Sequence, residues 1–490
     1  MDFLFYAYTS FSPSIISLFI SLYLTSYITF SVIYSSGNIY GVTNFYAKGY
    51  NFLVFILAAL IISLLWDDNV SFLSFNGLLS MSDHNGMFEF IVLSISFFCI
   101  MVSHNYVRYQ KIFQHEYVAF IIFSILGIIL LCYSNDLLLL YVALELQSLA
   151  FYLLASFNWS SDYNVEAGLK YFVLGSFSSC LLLFGFSMIY FMYGTTNLEI
   201  IKQLALSSES FSLLLMGIIF ILVAFLFKVG AFPYHNWILD IYEGSMTSVT
   251  VFFAVVPKII LFYLVLKLFF LTFSLESSFW APIVLFSSIS SIFIATFGAI
   301  FQKKLKRLLA FSAVSHTGFI LLAINTCALS SINAYIFYNL IYIFINLTVF
   351  GVIFLSATNS SFLKYLINWN YAFKRNFAIT AVFTLTLFSV GGIPPLTGFF
   401  SKLLVFLSLF NSGDPTSAFL VAILSCIGCF YYIRLIKVFF FGFSSQAFWV
   451  VSSSRNVELV LLFSASITIF FLIRPDSLLN TSYLLPLFFN

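Results

Sequence analysis

Four lysines sit inside stretches that otherwise read as membrane-buried: Lys170 in Glu166-Ala-Gly-Leu-Lys-Tyr-Phe172, Lys228 in Phe227-Lys-Val-Gly-Ala-Phe-Pro-Tyr-His235, Lys258 directly after Pro257, and Lys402 in Phe399-Phe-Ser-Lys402. Glu145, in Leu139-Leu-Tyr-Val-Ala-Leu-Glu-Leu-Gln-Ser-Leu149, reads as the one acid at a fully apolar helix centre, and His316, in Phe311-Ser-Ala-Val-Ser-His-Thr-Gly318, as the one histidine so placed. A cation in hydrocarbon costs at least about 2.5 to 3.5 kcal/mol, so four represent a penalty on the order of 10 kcal/mol. Hydrated cavities or partner charges must offset it. A buried carboxylate and ammonium stabilise each other's charged forms, and a second lysine approaching them pushes a proton off one group. That is the chemistry of a proton relay. On this reading Glu145 pairs with Lys228, and separating the pair frees the lysine to pass a proton towards Lys170 or Lys258.

Each residue also has a plainer reading. Lys170, near the expected start of its helix, has the reach to snorkel to the interface, which is harder for the mid-helix Lys258 and hardest for Lys228 and Lys402 beside helix interruptions. His316 shares its neighbourhood with Ser312, Ser315 and Thr317, where a core histidine finds partners. Asp240 and Glu243 are carboxylates at helical spacing, but with His235 they lie towards a membrane face and read as structural anchors. The six cysteines lie in or beside apolar runs, and Cys426-Ile-Gly-Cys429 lacks the second ligand pair of a zinc or iron-sulfur site. No phosphate-cradling loop, nucleophile elbow or metal-helix motif occurs.

The elements that position these residues follow from composition. Of 490 residues 62% are hydrophobic and 8% charged, with a mean hydropathy of +1.07. A water-facing surface carries charge at about a quarter of its positions, so the solvent here is lipid. A net charge of +2 excludes binding to a phosphate backbone, so nucleic acid is no partner. The 67 phenylalanines fit the bias of an AT-rich, organellar gene. Spanning takes about 20 apolar residues in helix or barrel, and the uncharged runs far exceed strand length. Helices are expected near 11–34, 51–66, 86–103, 117–133, 137–157, 168–194, 212–248, 249–272, 279–301, 308–328, 333–356, 377–412, 416–442 and 456–473. The fold class is therefore an all-α polytopic membrane protein of about fourteen helices.

The seventh and twelfth are too long for one crossing and are broken, at Lys228-Val-Gly-Ala-Phe-Pro233 and Gly391-Gly-Ile-Pro-Pro395, with Pro233 and Pro394 lying 161 residues apart. Each is the fourth member of a five-helix group, and matched interruptions point to a transporter built from repeats. An odd number of helices makes the repeats inverted. The expected division is 1–116 with three N-terminal helices, 117–272 and 273–442 as the two repeats, and 443–490 with a last helix. Lys48, Arg108, Lys111, Lys303, Lys304, Lys306, Arg307, Lys364, Lys374, Arg375, Arg434, Lys437 and Arg455 fall on or near one side, while Lys202, Lys267 and Arg474 fall near the other. The basic side is then matrix or cytoplasm, with both termini opposite. The N-terminus lacks a cleavable signal pattern, so the first helix is expected to stay.

These segments, with Asp240-Ile-Tyr-Glu-Gly-Ser-Met-Thr-Ser-Val249, Lys306-Arg-Leu-Leu-Ala-Phe-Ser312 and Gly392-Ile-Pro-Pro-Leu-Thr-Gly-Phe-Phe-Ser-Lys402, resemble the antiporter-like membrane subunits of respiratory complex I, and their subunit-2 branch more than subunits 4 or 5. The match covers residues 117–442. The resemblance implies fourteen helices with two inverted five-helix repeats, and proton translocation in the mitochondrial inner membrane driven by remote electron transfer from NADH to ubiquinone. It implies Glu145 with Lys228 as a coupled ion pair, Lys170 and Lys258 as relay lysines, His316 as a connecting group and Lys402 as the terminal lysine. It further implies that NADH, FMN, the iron-sulfur clusters and ubiquinone are bound by other subunits, with no cofactor or metal on this chain. Partners are then lipids and other membrane subunits of the complex, and the chain does not function alone. A stand-alone cation/proton antiporter subunit and a purely structural membrane scaffold are the competing readings.

Overall fold

The computed structural model describes residues 72–75, 77–109, 115–207, 212–325, 328–356, 364–370, 376–441 and 455–471, with a few isolated positions besides. The expected helix at 11–34 and most of that at 51–66 lie outside the described residues, as do Lys48, Lys111, Lys374, Arg375, Arg474 and Cys327. Among the described residues ten helices are long and apolar enough to cross a membrane. They are polytopic helical spans, as an apolar solvent demands when it leaves backbone groups no partner outside the segment.

In chain order a short hairpin of β1 (Phe72–Ser74) and β2 (Leu79–Met81) precedes α1 (Asp83–Tyr109), α2 (His115–Tyr133), α3 (Leu137–Ala155), α4 (Asp162–Tyr193) and the short α5 (Leu198–Ser207). Then follow α6 (Ser212–Val229), α7 (Asn236–Gly244), α8 (Thr247–Val265) with a π-helical continuation Leu266–Thr272, α9 (Ser277–Ile300), α10 (Leu305–Ile324) and α11 (Leu329–Ser356). A 3₁₀ turn (Leu366–Trp369), α12 (Phe377–Gly391), α13 (Thr397–Asn411), α14 (Pro415–Phe441) and α15 (Arg455–Phe470) complete it. The stretches expected as 212–248 and 377–412 are each two helices separated by a turn. The hairpin was not expected from the sequence. Its strands pair over three residues, and Leu79 bridges to Ser134 at the end of α2.

The chain packs as two units. The first comprises residues up to Ala224 with Gly244–Leu268. Within it α2 packs on α3, α3 on α4, and α8 on α1. Every residue of α8 is buried, so Lys258 sits in a helix with no lipid-facing side within this chain. Asp136 caps α3, accepting from Leu138 N–H at 2.8 Å and from Thr196 Oγ1 at 2.7 Å. Helix α4 starts at Asp162, six residues before the expected position, after an extended Ser161. Lys170 therefore stands in the third turn and not at the helix start. Phe151 packs on Phe252 and Phe253, and Tyr152 edge-on against Tyr171, filling the space between α3, α4 and α8 with rings.

The second unit comprises Phe225–Glu243 and the chain from Phe269 onwards. Here α9 packs along α10, and α11 against α13, α10 and α15. The core is again aromatic: Phe383 and Phe439 stack, Trp369 packs tilted against both, and buried Trp280 donates its indole N–H to the Phe273 carbonyl at 2.9 Å.

Candidate functional site

The geometry is most complete at the break between α12 and α13. Helix α12 ends where Gly392 turns to φ +85°, and its N–H bonds the carbonyls of Phe388 and Ser389 while Ile393 N–H bonds Phe388. This left-handed glycine cap meets some of the terminal carbonyls, not all. The Gly391 carbonyl is met by Lys402, whose Nζ donates to it at 2.7 Å, and by the Cys429 thiol at 3.2 Å. Lys402 is 8% exposed and also lies 5.3 Å from the centre of the Phe319 ring. Its ammonium thus rests on the negative end of a half-helix dipole and on the face of an aromatic ring, two substitutes for hydration. The close approach depends on glycine, since a Cβ on Gly398 would lie 1.7 Å from the Ser389 carbonyl oxygen.

One turn before Phe319, His316 is buried, and its Nδ1 shares a 2.8 Å hydrogen bond with the Tyr338 hydroxyl. His316, Tyr338 and Tyr342 line a water-sized cavity whose remaining wall includes Ser389, Gly398 and Ser401 from the two halves of the break. A single water needs about this much room and two to four polar partners, which the imidazole, the hydroxyls and the backbone ends supply. The structure therefore brings two sequence-predicted residues, His316 and Lys402, to the same break from α10 and α13. Tyr338 from α11 is a third member that sequence reasoning missed. Its place in a tyrosine-rich apolar run gave no signal.

The earlier break repeats this construction. Gly230 takes φ +78° and bonds the carbonyls of Leu226 and Phe227, and Trp237 of α7 donates its indole N–H to Phe227 O at 2.9 Å. Lys228, half-buried, lies in the last turn of α6. The two turning glycines, Gly230 and Gly392, are 162 residues apart, one more than the expected spacing taken from Pro233 and Pro394. In that register the counterpart of Lys402 is Asp240, not Lys228. Lys228 precedes its turn and Lys402 follows its own. Glu243, at the end of α7, pairs with Lys304 and lies 3.5 Å from Arg307.

In the first unit Glu145 is half-buried in the middle of α3. Its Oε2 accepts from Ser148 Oγ at 3.4 Å, while Oε1 is buried with no hydrogen bond from the described residues. Lys258 is 4% exposed. Lys170 differs: its side chain is 45% exposed and pairs with Glu166 one turn earlier at 2.7 Å.

Within the described spans two buried charges were missed, Glu89 and Lys267. Besides Glu145 at its helix centre, Glu89 near the start of α1 is an acid within a span, fully buried and accepting a hydrogen bond from the Tyr133 hydroxyl. Lys267, expected near a membrane face, is buried in the Thr247–Thr272 span and donates to the Ser134 carbonyl at 2.5 Å. The signal for Glu89 was present, as an acid flanked by Phe88 and Phe90 at the head of an apolar run. Its proximity to the expected helix start concealed it.

Comparison with known proteins places these features. Residues 134–428 match the family described as NADH:quinone oxidoreductase/Mrp antiporter, TM. The chain is 36% identical over 416 residues to NADH-quinone oxidoreductase subunit N of Pelagibacter ubique, covering 84% of this chain and 87% of that one. It is 36% identical over 389 residues to NADH-ubiquinone oxidoreductase chain 2 of Marchantia polymorpha, covering 78% of each. Its fold is similar to a chain of respiratory complex I from Thermus thermophilus, with a TM-score of 0.77 at 22% identity over 95% of this chain and 98% of the other. A chain of the Mrp complex from Dietzia is likewise similar, with a TM-score of 0.80 at 18% identity over 97% of both. The family match over more than half the chain and the identity to both relatives establish that this chain belongs to the NADH:quinone oxidoreductase/Mrp antiporter transmembrane family, together with NADH-quinone oxidoreductase subunit N and NADH-ubiquinone oxidoreductase chain 2.

Proposed function

We propose that this chain is a proton-translocating membrane-arm subunit of NADH:ubiquinone oxidoreductase. It carries no redox centre and moves protons in response to electron transfer in neighbouring subunits, which are its partners. The family membership supports this reading, and one structural observation carries the mechanism: Lys402 capping the half-helix end at Gly391, with His316 across a water-sized cavity from the same break. Among the described residues Lys402 rests on a carbonyl and a ring and forms no ion pair. It can take or give a proton as the break opens or closes, because a two-state element whose states differ in proton affinity is what coupling requires.

In this reading Glu145 and Lys228 form the coupled pair, Lys170 and Lys258 relay the proton, His316 connects and Lys402 ends the row. The finer architecture belongs to the same proposal: about fourteen helices, two inverted five-helix repeats over 117–272 and 273–442, and both termini on the intermembrane-space side of the mitochondrial inner membrane. The matched glycine turns 162 residues apart support the repeats. The plant chain 2 relative and the phenylalanine-rich composition support the organellar setting.

The test is proton pumping against NADH oxidation in sealed vesicles carrying Glu145→Gln, with assembly of the complex measured in the same membranes. Loss of pumping in an assembled complex is expected. Normal pumping with normal assembly would demote Glu145 to a structural partner. The antiporter alternative, which draws on the fold shared with the Mrp chain, predicts instead that the chain copurifies with a small antiporter assembly and no NADH dehydrogenase activity.

A further inference from the structure

Within the described spans of the first unit the relay leaves two buried charges, Glu89 and Lys267, unused. Glu89 is fully buried and Lys267 is 8% exposed, and they come from different helices to the same short stretch at the end of α2. The Tyr133 hydroxyl donates to Glu89, while Lys267 Nζ donates to the carbonyl of the next residue, Ser134. Lys267 does not reach this place from a regular helix. It stands in the seven-residue π segment Leu266–Thr272, and such widened turns are rare and gather at functional sites.

The stretch lies close to one membrane face. Glu89 is six residues into α1, about 9 Å along the helix at 1.5 Å per residue. Over that end sit the hairpin, bridged to Ser134 through Leu79, and the turn at Thr196 and Asn197. Polar side chains lead outward. Tyr263 donates to Asn85 at 2.5 Å, Asn85 to the Ser80 carbonyl at 2.6 Å, and Asn135 to Glu199 of α5 at 3.3 Å. Inward, Lys258 lies nine residues before Lys267 on the same helix, about 13 Å at α-helical rise. Burying a carboxylate is expensive, and here its hydroxyl donor and a buried ammonium come to adjoining residues of one stretch.

We propose that Glu89 is a proton-exchange site at the hairpin face of the first unit, held in place by Tyr133 and Lys267. Its carboxylate accepts a proton arriving from the Lys258 side through water and releases it to water at the hairpin face, so the cycle leaves Glu89 unchanged. Lys267 is a positioning residue that neutralises the site between cycles. This rests on the proton-translocating reading above, and the experiment separates the two.

Sealed vesicles bearing the intact complex are prepared with Glu89→Gln, Glu89→Asp and Glu145→Gln, and pumping is compared with NADH oxidation and assembly. In parallel the wild-type complex is treated with a lipid-soluble carbodiimide, which modifies protonated carboxyls, and the labelled peptides are identified by mass spectrometry. Expected are a threefold or greater loss of pumping in assembled Glu89→Gln, recovery of at least half in Glu89→Asp, and labelling of Glu89. If Glu145→Gln and Glu89→Gln both pump normally in an assembled complex, the translocating reading of this chain fails together with the present proposal, whereas normal pumping by Glu145→Gln alone demotes only Glu145. If Glu145→Gln is impaired while Glu89→Gln pumps normally, only the present proposal fails. Absence of label on Glu89 overturns it as well, and this measurement decides alone where Glu89→Gln does not assemble.

Discussion

Lys402 donates a 2.7 Å hydrogen bond to the carbonyl of Gly391, the last residue of the half-helix before its own. The bond ties α13 back onto α12 across the turn at Gly392 and is strongest when the lysine is charged. Removing the ammonium leaves the Gly391 carbonyl with only the weaker Cys429 thiol at 3.2 Å. A hydrogen bond to a charged group contributes about 1.5 to 3 kcal/mol. Lys402→Met is therefore expected to loosen the break by about that amount and to abolish pumping through the second half. The check is the ratio of protons moved to NADH oxidised, measured with assembly. An unchanged ratio would leave Lys402 a purely structural tie.

His316 and Tyr338 allow a graded test of the cavity beside that break. Tyr338→Phe keeps the ring, which stacks on Phe319, and removes only the 2.8 Å bond to Nδ1. One such bond is worth about 1 kcal/mol net, or about fivefold in a rate. His316→Phe removes the group proposed to carry the proton, and such groups contribute about 10²-fold or more. Pumping is expected to fall several-fold in the first variant and below detection in the second. Equal, small losses in both would assign His316 to packing.

What the sequence displayed, and what it hid, divides along physical lines. Long apolar runs made the spans legible, because lipid forces each run to be helical. Gly230 and Gly392 announced the breaks, since a left-handed turn is hard for any other residue and both glycines adopt positive φ. Register was less legible. Pro394 is followed directly by Pro395, and composition does not say which of the two corresponds to Pro233, whereas the turning glycines fix the offset at 162. Burial within lipid-solvated helices was least legible. Polar faces are absent on either side, so an exposed Lys170 and a buried Lys258 look alike in sequence although their surroundings differ. The start of α4 was hidden for a related reason: the polar run Asp162-Tyr-Asn-Val-Glu166 reads as loop, yet it forms the first turns of the helix.

The approach of α13 to α12 gives a stability prediction independent of charge. A Cβ at Gly398 would lie 1.7 Å from the Ser389 carbonyl oxygen and 2.6 Å from its carbon, both backbone atoms that cannot swing aside. Gly398→Ala must therefore separate the two half-helices, at a cost of about 3 kcal/mol, the upper end for overpacking. Thermal inactivation of the assembled complex at a markedly lower temperature is expected, with little mature complex recovered. Wild-type inactivation behaviour would show that the break tolerates a wider spacing.

Glu243 tests the opposite assignment, a carboxylate that anchors and does not relay. It ends α7, where the helix dipole disfavours an acid, and it is stabilised there by Lys304 and Arg307 from the head of α10. Those two basic residues are in turn misplaced for a helix N-terminus, so each side relieves the other. The side chains of Lys304 and Arg307 are 40% and 39% exposed. Water screens pairs of this kind, and their worth is about 1 kcal/mol or less. Glu243→Gln is therefore expected to lower the inactivation temperature slightly, with the loss shrinking further at high salt, and to leave the ratio of protons pumped to NADH oxidised at its wild-type value. A variant that stayed fully stable but stopped pumping would move Glu243 from anchor to relay, and would make the end of α7 an entry point for protons.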